Sequence, residues 1–106
     1  KDSIADVRLA FVWACENIAT NTPELFYERM DLFCEMIQDR GVRVRIEAPE
    51  MFRVMGKRKP QCVKPYLEKL QWFADNDTNP VVRIHSAGAI RITKKALEEL
   101  KNATDD

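Results

Sequence analysis

Between Val42 and Thr93 the spacing of apolar residues changes character several times, and each change limits the folds open to the chain. Val42, Val44 and Ile46 alternate with Arg43 and Arg45, the period of a half-buried strand. Pro49 to Met55 reads as a short helix that Gly56 can close, and Lys57-Arg58-Lys59-Pro60 as a basic turn. A longer helix is expected from Cys62 to Ala74, because Pro65 is tolerated in a first turn and Val63, Tyr66, Leu67, Leu70 and Phe73 share one face. The polar run from Asp75 to Pro80 ends it. Val82 and Ile84, with Ile90 and Ile92, fit the inner face of a hairpin turning at Ser86-Ala87-Gly88-Ala89.

The upstream part is helical in pattern. Ile4, Val7, Phe11, Cys15 and Ile18 recur at helical spacing and predict a helix from Ser3 to Ala19. Leu9 and Trp13 lie roughly opposite that stripe, so the helix must be covered twice, once by its own core and once by another part of the domain, a second copy or the remainder of the protein. Residues 1–20 are therefore expected to form a dimer or inter-domain seam, and Leu9, Trp13 and Trp72 are the candidate protein-interface residues. Thr22-Pro23-Glu24 starts a second helix that Gly41 stops. Phe26, Met30, Phe33 and Ile37 form its buried stripe. Glu24, Glu28, Asp31, Glu35 and Asp39 line another face, either solvated or a docking surface for something basic. Thr93 is read as the cap of a final short helix with Leu97 and Leu100 inward. No internal repeat stands out.

With 106 residues, 45% of them apolar and 32% charged, the chain suits one domain, and its start at Lys1 reads as excision from a longer protein. It shows no signal segment and no run of membrane length, so no membrane is expected as partner. Cys15, Cys34 and Cys62 fall among apolar residues and read as buried free thiols, which suits an intracellular setting. No metal or other cofactor is expected, since zinc needs closely paired ligands and His85 is far from any cysteine. Ser3 and Ser86 lie in no nucleophile motif and Gly41, Gly56 and Gly88 are scattered, so no enzymatic activity is expected. Net charge is zero, yet its distribution is uneven: net −5 over residues 1–39, +8 over 40–95 and −3 over 96–106. A positive surface beside a negative one follows.

From Pro23 to about Asn102 the expected order is helix, strand, helix, turn, helix, strand, turn, strand, helix. This order resembles the winged helix-turn-helix superfamily in its pattern of elements. The resemblance implies a mainly α fold with a small antiparallel β-sheet (α+β), winged-helix-like with an extra N-terminal helix. It also implies that Gln61, Lys64, Glu68 and Lys69 sit on the groove-reading helix, with Arg83, His85 and Arg91 on the wing. Lys57, Arg58 and Lys59 would precede a helix N-terminus, where charge and free N–H groups favour phosphate. Arg43 and Arg45 would join Arg83, His85 and Arg91 on one sheet face. The function expected on this reading is binding of nucleic acid, duplex DNA foremost, within a larger regulatory or replication protein. The alternative is a protein-interaction or self-assembly domain on the same scaffold, with a protein partner or a homo-oligomer.

Overall fold

The computed structural model describes residues 4–104, and every element among them is helical. Helix α1 spans Ile4–Asn21, and a 3-10 turn at Pro23–Phe26 leads to α2 (Met30–Met36). Helix α3 spans Val42–Arg58, followed by the single turn α4 (Pro60–Val63), a 3-10 turn at Lys64–Tyr66, α5 (Leu67–Asn76) and the 25-residue α6 (Pro80–Thr104).

The expected α+β fold is thus overturned. Among the described residues there is no strand, hence no sheet, no hairpin and no wing, and the winged-helix pattern falls with them. Val42 to Ile46 is the first turn of α3. In that helix Val44, Ala48, Met51, Phe52 and Met55 are buried at spacings of four, three, one and three, a helical period that the local alternation hides. Pro49 sits inside α3 and is itself buried there. It removes one ladder hydrogen bond, but packing against α1 and α6 on either side holds the helix through it. The segment from Val82 to Ile92 lies inside α6. Asn79-Pro80 is its start signal: Asn79 Oδ1 accepts from the backbone N–H of Val81 at 2.8 Å and of Val82 at 3.3 Å, and the proline occupies the first turn. Thr93, expected as a cap, is buried in the middle of α6.

Helix α3 is the centre of the fold, packed between α1 and α6, with α2 covering α3 and α5 covering α6. The result is an elongated body of 55 × 29 × 17 Å. Phe33, Phe52, Met30, Ile37, Met51, Met55 and Leu70 fill one continuous core along it. The expected buried set Met30, Phe33 and Ile37 is found there, with Phe26 partly buried against it. The buried face of α1 differs from expectation, which holds for Cys15 but not for the rest of the expected stripe. Leu9, Val12, Cys15 and Ala19 point inward, whereas Ile4, Val7, Phe11 and Ile18 are exposed.

The body is a repeat. The buried residues Val44, Ala48, Met51, Phe52 and Met55 of α3 recur 38 positions later as the buried residues Val82, Ser86, Ala89, Ile90 and Thr93 of α6. Pro23 and Pro60, both buried, each open the short helical segment that precedes such a long helix. Stacked helix pairs of this kind bury a shared core between neighbours. Only valine is shared by identity among the five buried pairs, which is why no repeat is visible in the sequence.

A polar ladder runs with the same period. Arg8 binds Asp39 through two bonds, Nε to Oδ2 at 2.6 Å and Nη2 to Oδ1 at 2.8 Å. One step on, Arg45 Nε donates to Asp77 Oδ2 at 3.0 Å and its Nη1 to the Asp39 carbonyl at 2.9 Å. Arg83 Nη1 then donates to the Asp77 carbonyl at 2.6 Å. Each aspartate also accepts from the backbone two residues on, Gly41 N–H for Asp39 at 2.7 Å and Asn79 N–H for Asp77 at 2.9 Å. The carboxylates thereby shape the turns that lead into α3 and α6.

Candidate interaction groove

A concavity of about 690 Å³ lies between α2 and α5. Inward-facing Leu70 and Phe73 anchor α5 in the core, which turns Glu68, Lys69 and Trp72 outward. Helix α2 supplies Cys34 to the opposite wall, and Gln38 follows it. The 3-10 turn at Lys64–Tyr66 closes one end with Pro65 and Tyr66. The apolar part of the wall is Cys34, Tyr66, Phe73 and Trp72, and Gln38, Glu68 and Lys69 give its rim both charge signs.

Trp72 is 55% exposed, the most of any aromatic residue there. It packs edge-on against Phe73 with centroids 5.0 Å apart, and Tyr66 packs edge-on against the buried Phe52 at 5.7 Å. The Trp72 carbonyl accepts from Asn76 Nδ2 at 2.9 Å near the end of α5. Burial pushes the Cys34 thiol above its ordinary range, with Lys69 pulling the other way, so the sulfur presents an apolar surface to the groove.

The residues expected to face nucleic acid are distributed over separate parts of the molecule. Lys57, Arg58, Lys59 and Gln61 line a cleft of about 380 Å³ together with Glu99 and Leu100 of α6. Arg58 Nη1 is engaged with the Thr20 carbonyl at 3.2 Å, and Lys59 Nζ lies 5.4 Å from the centroid of the Tyr27 ring. Arg53, Lys57, Lys95 and Glu99 line an adjoining cleft of about 370 Å³. Lys64 is exposed on the 3-10 turn and Lys69 sits on the rim of the α2–α5 groove. Arg83 belongs to the ladder and Arg91 is exposed on α6. His85 lies in the α3–α6 seam, where Nδ1 donates to the Ile46 carbonyl at 2.7 Å and stands 3.4 Å from Glu50 Oε1.

Among the described residues there is no wing, and the five cations expected on one sheet face do not form one open surface: Arg43 lies over Trp13 at 5.8 Å, whereas Arg45 and Arg83 come together on Asp77 in the ladder. The continuous acidic stripe also breaks, because Asp39 is taken up by Arg8. Of the expected interface residues, Leu9 is core at 3% exposure, whereas Trp13 and Trp72 are exposed. Tyr66, Cys34, Gln38, Arg53 and Lys95 come to their clefts only through tertiary packing. No periodicity in one segment points to them.

Cys15 is buried, Cys34 and Cys62 are half-buried, and all three are free. Among the described residues no group of three or more His, Cys, Asp or Glu could hold a metal ion, and no helix is long and apolar enough to cross a membrane. Comparison with protein-family models, with curated proteins and with solved structures finds no match.

Proposed function

We propose that the chain is a non-catalytic protein-interaction module that holds a short segment of a partner protein in the groove between α2 and α5. The observation that carries this reading is Trp72, more than half exposed, braced by Phe73 and flanked by an apolar wall with a mixed-charge rim. A large aromatic at the mouth of a concavity is the residue type that dominates interface energetics. The segment it suits carries one bulky apolar side chain between polar residues of either sign. A stacked helical-pair scaffold fits such a role, because it offers an extended surface on a rigid frame. Selection of displayed peptides against the chain tests it. The expected ligands share an apolar anchor and bind at least tenfold more weakly to Trp72→Ala. No enrichment, or binding indifferent to Trp72→Ala, contradicts it.

A second reading, nucleic-acid binding, draws on Lys57, Lys59 and Gln61 in one cleft and Arg53, Lys57 and Lys95 in the next. Glu99 lines both clefts and the whole chain has no net charge, which weakens attraction for phosphate. A mixed-sequence duplex bound at low salt and released steeply as salt rises supports this reading; no binding at low salt removes it.

A further inference from the structure

We infer that the adjoining clefts between α6 and the end of α3 bind an acidic segment of a partner protein, with Lys57 and Lys95 receiving its carboxylates. Lys95 stands 38 positions after Lys57, and Arg91 38 positions after Arg53, the same step that relates the buried residues of α6 to those of α3. Arg53 and Lys57 are four apart and share a face of α3, as Arg91 and Lys95 do on α6. Because α3 and α6 pack directly on each other, the repeat brings Arg53, Lys57 and Lys95 to one cleft. Lys57 also lines the second cleft, which shares Ala96 and Glu99 with the first.

Structural roles account for the neighbouring cations but not for this pair of lysines. Arg53 Nε donates to Glu50 Oε2 at 2.6 Å, Arg58 is engaged with the Thr20 carbonyl, and Lys59 lies over the Tyr27 ring. Lys57 and Lys95 are exposed, and among the described residues neither has an ion-pair partner. Lys57 sits in the last turn of α3, where a cation suits the helix dipole, but Lys95 lies well inside α6, where the dipole gives no reason for one. Two ammonium groups thus line one cleft against one carboxylate, Glu99.

The rest of the lining selects the ligand. Ile92, Ala96 and Leu100 give the clefts an apolar side, and Leu100 is 42% exposed there. An acidic peptide matches both parts: its carboxylates accept charge-assisted hydrogen bonds from the lysines, and an aliphatic side chain beside them covers the apolar residues. A phosphate backbone matches less well. Duplex affinity rests on several phosphate contacts, whereas the two unpaired lysines supply few, and Glu99 sets a like charge beside them. The site goes beyond the α2–α5 groove, with which it shares no lining residue.

Fluorescence anisotropy of a labelled peptide repeating Glu-Glu-Leu tests the proposal on the chain as it is, with a labelled mixed-sequence duplex as competitor. The expected result is saturable peptide binding at low salt that Lys57→Glu and Lys95→Glu each weaken at least tenfold. Both lysines are exposed, so the far-ultraviolet circular dichroism should stay unchanged. Lys69→Glu, the same charge change on the rim of the α2–α5 groove, and Trp72→Ala should leave the affinity as it is. No binding, binding indifferent to Lys57→Glu and Lys95→Glu, or equal weakening by Lys69→Glu overturns the proposal. So does a duplex that binds more tightly than the peptide through the same two lysines. The groove reading stands or falls separately, on the response of its own ligands to Trp72→Ala.

Discussion

Arg45 and Asp77 meet across 32 residues of sequence, Nε to Oδ2 at 3.0 Å, with only 17% and 5% of their side chains exposed. The same guanidinium reaches back to the Asp39 carbonyl, so one side chain ties the turn before α3 to the turn before α6. Repeats that contact only their neighbours depend on such ties to fix how one pair sits on the next.

Breaking this pair leaves a charge buried without its partner, which costs about 3–5 kcal/mol in comparable sites. Asp77→Ala and Arg45→Ala should each fall in that range in urea denaturation, while exposed Asp75→Ala stays near zero. The double variant should lose less than the two single losses combined. Additive losses would mean that the two side chains stabilise the fold independently.

Gly56 and Gly88 should respond with opposite signs to the same change. A Cβ on Gly56 would overlap Thr93 Oγ1 and lie 3.1 Å from Thr93 Cβ, so Gly56→Ala forces α3 and α6 apart at a cost of about 1–3 kcal/mol. A Cβ on Gly88 meets only the end of the Arg91 side chain at 3.8 Å. Gly88→Ala should therefore stabilise α6 by about 0.5–1 kcal/mol, since glycine is a poor residue in a helix interior. Thermal melts of the two variants check both signs.

Burial pushes the Glu16 carboxyl from its ordinary 4.5 up to about 7, aided by Glu47 and Glu50 and opposed by Arg53. Between those values the folded chain holds a proton that the unfolded chain releases. The stabilisation is complete below about pH 4.5 and is lost as pH rises through about 7. Glu16→Gln should flatten that part of the stability profile and should be the more stable protein at pH 8. A parent profile that rises with pH in step with the variant contradicts the assignment.

The sequence made α1, the buried stripe Met30-Phe33-Ile37 and the break between Asn76 and Pro80 legible, because each has a local cause in periodicity or turn chemistry. It misled at Val42–Ile46 and Val82–Ile92. Five alternating residues fit a strand as well as the start of a helix, and Pro49 and Gly88 read as breakers until packing on both sides of α3 and along α6 is known. Asn79-Pro80 carried the correction in itself, as cap and first turn. Trp72 was legible as an exposed anchor, but the groove was not: its far wall, Cys34 and Gln38, is joined to α5 only by the fold.

The most direct test of the groove assignment is a titration of the ¹⁵N-labelled chain with a selected apolar-anchor peptide, followed through the indole N–H signals of its two tryptophans. Movement of the Trp72 signal, together with the amides of Cys34, Gln38 and Tyr66, while the Trp13 signal stays in place, is the predicted result. A Trp72 signal that does not move, with shifts confined to Lys57, Lys59 and Lys95, would contradict it and move recognition to the basic clefts beside α6.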